Sequence, residues 1–406
     1  MEALIIDKSE NLKKLCIIQY NKYNLQSRDK FPKIFLLGLL TKRLEQKGYK
    51  VILLKSDYPK EINDLLERYK KIDLILNFED YYIRFSRHFH SGLNLRDAYE
   101  FYKTLEKTGT VIYPPPDFHI YTNSKTYALE MYKNPEFVLP HSKVFLLKDA
   151  SSDNIVWKEM VEHLSQLKKI TDFSIIKVGY SADMADVYFI NNRGINIEEI
   201  EENHLLYRFP RKQIITFNSN EDLEVIRRLY KEYITFDKLD LVVIIQPFNP
   251  IVANRNTEYR MWYINGRFIG YFCFGIIRDK DGKLIKLIDN KQYNSDNLID
   301  KNLLELGNKL YKFIEKEIKN HIKKDDFKII ALRLDMSYAT EDIFLDKYSI
   351  EIDGKKYRFY CNEIENIDGT YYLNLPTIDV NTGKKKDNSY FQYKLVDTII
   401  DSLKYN

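Results

Sequence analysis

Apolar and polar positions divide the chain into short strands and amphipathic helices. From Leu15 to about Pro116 the runs LCIIQY, YKVILLK, KIDLILNF and GTVIYPP are nearly continuous in apolar residues, as buried strands are. Helix-period stretches separate them at Ile34 to Gln46, Lys60 to Lys70 and Leu95 to Lys107, with Gly48 and Gly109 at helix C-cap positions. This alternation predicts parallel strands joined by crossover helices, an α/β layer over residues 1–118. Proline supplies no ladder donor and restricts the residue before it, so the run Pro114, Pro115 and Pro116 closes that layer.

Beyond it the pattern changes to α+β. The stretch TNSKTYALEMYKN predicts a helix capped by Asn123 or Ser124 with Lys125 in its first turn, where a lysine opposes the helix dipole and calls for an anion. A helix over 154–168 precedes the strand DFSIIKV, and DVYFINNRGINI predicts a hairpin around Asn191 to Gly194. LDLVVIIQPF, 239–248, is an unbroken apolar strand. Two alternating strands joined at Asn265-Gly266 follow, then a long amphipathic helix over 298–323. Strands Lys328 to Ser337 and Tyr357 to Asn366, with a hairpin at Asp353-Gly354 between them, lead to a final helix over 390–404. The expected units are 1–118, 119–246 and 247–406.

Composition changes this picture little. With 406 residues, 44% hydrophobic and 30% charged, the chain is an ordinary globular protein able to bury a large core. Its 63 basic and 59 acidic residues nearly balance, so charge gives no support for a nucleic-acid partner. Cys16, Cys273 and Cys361 are far apart and form no CxxC pair, so neither a disulfide framework nor a cysteine zinc site is indicated, which fits a reducing compartment. The N-terminus MEALIIDKSENLKK lacks a signal-like apolar core and no stretch reaches membrane-span length, so a cytoplasmic protein is expected.

Candidate chemistry concentrates in the last two long strands. Side chains alternate faces along a strand, so Arg333 and Asp335 share one face of KIIALRLDMS, and Glu363 and Glu365 share one face of YRFYCNEIEN. If the strands are neighbours, three carboxylates meet an arginine on one surface. Such a cluster repels itself unless a cation neutralises it, and hard oxygen donors suit Mg²⁺ held with phosphates. A solvated sheet face with its acids paired to lysines is the alternative. Lys177 follows three apolar strand residues and either snorkels to an edge or reaches a phosphate. Gln246, Pro247 and Phe248 end a buried strand in an amide and a proline-fixed backbone, suited to the edge of a planar base. Glu258, Arg260 and Trp262 share one strand face. Arg84, Arg87, His88, His90 and Arg96 follow the strand ending at Phe78, where open α/β sheets bind ligands, and form a candidate anion site.

Taken in order, these features resemble the ATP-grasp superfamily over roughly residues 10–370. The resemblance implies a Rossmann-like N-terminal domain followed by a two-subdomain ATP-grasp fold, with ATP and Mg²⁺ between the subdomains. Lys125, with Leu139-Pro140, Ser142 and Val144 after it, resembles the family's first nucleotide-contacting lysine, and Lys177 the second. Gln246 to Phe248 resembles the adenine hinge, and Glu258 with Arg260 the "E-x-R" strand. Arg333-Leu334-Asp335 matches "R-x-D", and Glu363-Ile364-Glu365 stands where the family has "E-x-N". Metal ligation is therefore expected from Asp335, Glu363 and Glu365, with Asn366 the alternative last ligand. Three departures stand out: a covering loop reduced to Gly179-Tyr-Ser-Ala-Asp, glutamate at the last metal position, and an extra hairpin between Asp335 and Glu363.

The resemblance implies a carboxylate–amine ligase acting through an acyl phosphate, with Arg260 and Arg333 holding the transferring group. A kinase on an anionic polyol such as an inositol phosphate is the second expectation, favoured by the Arg84 to Arg96 cluster. The third is an ATP-binding assembly factor without turnover. Glu258-Tyr259-Arg260 and Phe268-Ile269-Gly270 are similar to strands of the eukaryotic initiation factor 2 assembly protein. The expected partners are a small-molecule or peptide substrate and, in the third case, a protein; no membrane or nucleic acid is expected.

Overall fold

The computed structural model describes residues 14–19, 32–54, 58–77, 95–148, 153–179, 187–195, 213–224, 226–228, 230–231, 240–254, 258–278, 284–289, 296–323, 325, 327–366 and short stretches at 377–378, 385–386, 397–398 and 400–401. The N-terminal apolar runs form β1 (Lys14–Gln19), β2 (Tyr49–Leu54), β3 (Leu74–Asn77) and β4 (Val111–Tyr113). All pair in parallel, in the order β2-β1-β3-β4, with Cys16 opposite Val51 on one side and Leu74 on the other. Between them run α1 (Pro32–Gln46), α2 (Tyr58–Tyr69) and α3 (Leu95–Lys107), as the periodicity predicts.

The middle of the chain departs from the sequence reading twice. The helix expected to carry Lys125 is broken there. α4 (Pro116–Asn123) ends with Ser124 as its C-cap, Lys125 takes a left-handed φ of 57°, and α5 (Tyr127–Met131) begins afterwards. The second departure is at Asn191. After β5 (Lys143–Leu147), α6 (Asp153–Leu167) and β6 (Phe173–Val178), the strand β7 (Tyr188–Asn191) is not followed by an antiparallel return among the described residues. Its next partner, β8 (Ile214–Thr216), runs parallel to it, which requires a long connection rather than a tight turn. β6 and β8 take both edges of β7 and leave none for a returning strand, and the Asn191 side chain donates to the Ile195 carbonyl at 2.6 Å and accepts from the Ile195 amide at 3.1 Å, closing a local turn. With β9 (Leu241–Pro247) these strands form a sheet ordered β5-β9-β6-β7-β8.

The C-terminal sheet is antiparallel, in the order β12-β11-β10-β13-β15-β14, from β10 (Glu258–Ile264), β11 (Arg267–Arg278), β12 (Leu284–Asp289), β13 (Ala331–Ala339), β14 (Ile350–Ile352) and β15 (Lys355–Glu365). Both expected hairpins are present, with positive φ at Asn265 and Gly266 and at Asp353 and Gly354, the pair of left-handed residues such turns demand. The long helix α7 (Leu298–Ile322) is capped by Asn297, whose side chain accepts from the Ile299 and Asp300 amides. Its apolar stripe, Leu303, Leu306, Leu310, Ile314 and Ile318, packs with Met261, Tyr263, Leu332, Leu334 and Met336. Even-numbered β13 residues are thereby taken up by the core, leaving Arg333 and Asp335 on the opposite face. The final helix expected over 390–404 lies largely outside the described residues.

Contacts link the sheets. Trp262, Ile264 and Ile330 pack with Cys16, Ile18, Leu74, Leu76 and Tyr113 of the N-terminal layer, and the Ala331 amide donates to the Tyr113 hydroxyl at 3.1 Å. No described helix is long and apolar enough to cross a membrane.

Candidate functional site

The site grows from the pairing of β13 with β15. Arg333 stands opposite Glu365 and Asp335 opposite Glu363, but Met336 stands opposite Cys361, so Asn362 is an extra residue in a β-bulge. That bulge decides the chemistry. Phe359 and Cys361 belong to the core, and strict alternation would bury Glu363 and Glu365 with them; past the bulge the phase reverses and Ile364 takes the core position. One carboxylate oxygen from each of Asp335, Glu363 and Glu365 then lies within 4.8 Å of the others. Asn366, one residue on, is buried and donates through Nδ2 to the Thr122 hydroxyl at 2.6 Å.

The cluster is neutralised by side chains of the same chain. Arg333 forks onto Asp335 at 2.7 and 2.8 Å and reaches Glu365 at 2.7 Å. Arg260 pairs with Glu258 at 2.9 Å and lies 3.7 Å from Asp335. From outside the sheet, Lys125 bonds Glu363, and Lys177, on β6, bonds the Asn362 side chain and, at 3.3 Å, its carbonyl. Both lysines are buried, 5% and 8% exposed. The alternative reading of solvated acids paired with lysines is met only in part: Asp335 and Arg333 are 2% exposed, whereas the Glu363 and Glu365 side chains keep 29% and 30% exposure and Glu363 pairs with Lys125.

Electrostatics follow from this packing. Burial pushes the Glu363 carboxyl up, but the ammonium groups of Lys125 and Lys177 outweigh it and hold it at about 2. Burial drives Glu365 well above the usual carboxylate range against the pull of Arg333, with Glu363 and Asp335 adding to the rise. Burial opposes the Arg333 charge, yet Asp335 and Glu365 keep it firmly protonated. Lys177 is lowered by burial, with Glu363 opposing the drop.

The segments carrying Lys125 and Lys177 touch through their backbones. A Cβ on Gly179 would lie 2.2 Å from the Ser124 carbonyl oxygen, so only glycine allows the end of β6 to approach the segment carrying Lys125. The Tyr127 hydroxyl accepts from the Ile364 amide at 3.1 Å and ties that segment to β15. Gln246 is buried on β9 opposite Ile175, and the Tyr132 hydroxyl donates to its Oε1 at 3.4 Å. Phe248 packs edge-on to Phe189 with ring centres 5.0 Å apart, and its amide donates to the Phe173 carbonyl at 3.0 Å.

Of the residues singled out in the sequence, Lys125, Lys177, Glu258, Arg260, Arg333, Asp335, Glu363 and Glu365 are joined by direct contacts or through Asn362. Arg84, Arg87, His88 and His90 lie outside the described residues, as does the loop after Gly179; Arg96 is exposed on α3. Asn362 and the Gly179–Ser124 approach were missed: a bulge leaves no mark in residue type, and a lone glycine does not name its neighbour.

No protein-family model and no curated protein matches the sequence. Among solved structures, D-cycloserine synthetase DcsG is similar over 96% of this chain and 99% of its own, at 10% identity and a TM-score of 0.55. D-alanine–D-alanine ligase from Bacillus anthracis, complexed with ATP, is similar over 96% and 97% at 13% identity and a TM-score of 0.47. The ATP-grasp ligase PsnB complexed with minimal precursor is similar over 95% and 99% at 9% identity and a TM-score of 0.42.

Proposed function

We propose that this chain, which has the ATP-grasp fold, is a Mg²⁺- and ATP-dependent ligase that joins a carboxylate to an amine through an acyl phosphate. The observation that carries the reading is that two buried lysines from separate segments reach adjacent residues, Glu363 and Asn362, beside three convergent carboxylates of one sheet. Lysines in such a place suit phosphate oxygens, and convergent carboxylate oxygens suit a hard cation. The full-length likeness to a protein named a synthetase supports the same reading. In it, residues 1–118 form the leading domain, 119–246 the lysine-bearing subdomain and 247–406 the metal-bearing one.

The donor set fits Mg²⁺: Asp335, Glu363 and Glu365 would hold it, and once bound it neutralises charge between phosphate oxygens. Lys125 and Lys177 would exchange their present partners, Glu363 and Asn362, for phosphates of ATP. Gln246, with its Oε1 engaged by Tyr132, would offer its amide nitrogen to the base. Arg333 is committed to Asp335 and Glu365 and keeps those carboxylates in place. Arg260, held by Glu258 through two bonds, would meet the transferring group. The substrate carboxylate oxygen attacks the γ-phosphorus, and the bond to the bridging oxygen breaks to release ADP. The amine nitrogen then attacks the acyl carbon, phosphate departs with the C–O bond, and the amine proton passes to solvent. These residues work by positioning and charge stabilisation.

The test is ATP turnover with product identification over panels of carboxylates, amines and polyols. ADP release that requires both a carboxylate and an amine is expected. Phosphate retained on a hydroxyl would replace the reading with a kinase, and tight ATP binding without turnover with an assembly factor.

A further inference from the structure

Lys125 and Lys177 are held in different ways. Lys125 is paired with a carboxylate, Glu363, which cancels its charge locally. The hydrogen bonds of Lys177 go to two neutral oxygens, both from Asn362: the side-chain Oδ1 and the backbone carbonyl. Glu363 and Glu258 act on Lys177 only through space. Asn362 in turn donates through Nδ2 to Glu258 at 3.5 Å, so one amide joins β6 of the five-stranded sheet to β10 of the six-stranded one.

That arrangement depends on the bulge. Asn362 has no partner on β13, and the extra residue lets both Asn362 and Glu363 face the site. In the register before the bulge one of the two would turn into the core beside Cys361. An amide at this point fixes an ammonium through hydrogen bonds without neutralising it, whereas a carboxylate would compete with any incoming anion.

We propose that Asn362 is a positioning residue that aims the charged end of Lys177 at a nucleotide phosphate from a neutral anchor. The proposal rests on the reading of Lys177 as a phosphate-contacting group, and its test separates the two. Binding of a non-hydrolysable ATP analogue with Mg²⁺ is measured by calorimetry for wild type, Asn362→Ala, Asn362→Asp, Lys177→Met and the Asn362→Ala/Lys177→Met pair, with melting temperatures alongside. Asn362→Ala should weaken binding roughly tenfold, and the same change should cost nothing further in Lys177→Met. Asn362→Asp keeps the shape and an acceptor but should weaken binding more than alanine, an order that a merely structural role would reverse. Equal losses in both backgrounds, or wild-type affinity in Asn362→Asp, overturn the proposal.

A second readout needs no nucleotide. With lysine labelled at Cε and Nζ, Asn362→Ala should shift the Lys177 resonance in the free protein and leave that of Lys125 in place, each assigned from its methionine variant. An unmoved Lys177 resonance overturns the anchor even if the chain binds no nucleotide. A shifted resonance in a chain that binds none would retain the anchor and remove the phosphate.

Discussion

Gly179 lies against the backbone of Ser124 so closely that a Cβ at 179 would stand 2.2 Å from the Ser124 carbonyl oxygen and 2.8 Å from its carbonyl carbon. Both atoms are backbone, so neither can swing away. The contact brings together the segments carrying Lys177, two residues before Gly179, and Lys125, the residue after Ser124, and the Gly179 amide is fixed independently by the Val242 carbonyl at 2.8 Å.

Gly179→Ala should therefore part the two lysines rather than merely stiffen a loop. Overpacking of this kind typically costs about 1–3 kcal/mol. The expected result is a lower melting temperature with a loss of ATP affinity larger than the stability change alone would produce. Calorimetry and thermal unfolding on the same variant check it; unchanged nucleotide affinity would detach the contact from the site.

How much of this was legible in the sequence depends on which physical rule was in force. The strands and helices of the N-terminal layer, the two hairpins and α7 follow from periodicity and turn chemistry, which are local. The face shared by Glu363 and Glu365 follows from alternation, but alternation also assigned that face to Phe359 and Cys361, and only the bulge at Asn362 resolves the conflict. Lys125 was misread because Asn123 and Ser124 look like N-caps, whereas Ser124 ends one helix, Lys125 takes a left-handed φ, and the next helix begins at Tyr127. The self-repelling acidic cluster was half the picture. Arg333 was legible beside Asp335 by alternation, but that Lys125 pairs with Glu363 and Arg260 approaches Asp335 are contacts between residues distant in sequence, which no local pattern specifies.

Arg333 makes that compensation measurable. It is 2% exposed and contacts Asp335 through both ends of its fork and Glu365 through one. Arg333→Met leaves Asp335 buried with Arg260 no nearer than 3.7 Å. Removing one partner of a buried pair costs about 3–5 kcal/mol. Urea unfolding without divalent cations should show a loss of that order, and millimolar Mg²⁺ should restore part of it, since the exposed charge then favours a cation. Wild type should respond little to Mg²⁺ alone. A variant as stable as wild type without Mg²⁺ would show that Arg333 does not neutralise the cluster.

Lys125 and Glu363 join the nucleotide half of the site to its metal half, and their pairing gives a prediction in two parts. Glu363 is held at about 2, below the usual glutamate value of about 4.3, because Lys125, aided by Lys177, outweighs a burial effect that acts upward. A carboxyl with a depressed folded-state value stabilises the fold above its unfolded value and loses that contribution as pH falls through the folded one. The pair should thus support the fold above about pH 4.3 and fail progressively toward pH 2. In Lys125→Met the burial effect remains with only the weaker pulls of Lys177 and Arg333 against it, so the Glu363 carboxyl should titrate higher and acid unfolding should begin at higher pH. The second part concerns the metal. Lys125 occupies a carboxylate that the proposed Mg²⁺ site requires, so its removal frees Glu363. Lys125→Met should then bind Mg²⁺ alone more tightly than wild type while binding ATP roughly ten- to a hundredfold more weakly, the loss of one charge-assisted bond. Calorimetry with Mg²⁺ alone and with nucleotide alone reads the two affinities separately. Parallel weakening of both would mean that Lys125 supports the site as a whole, and the exchange of Glu363 from lysine to metal would have to be abandoned.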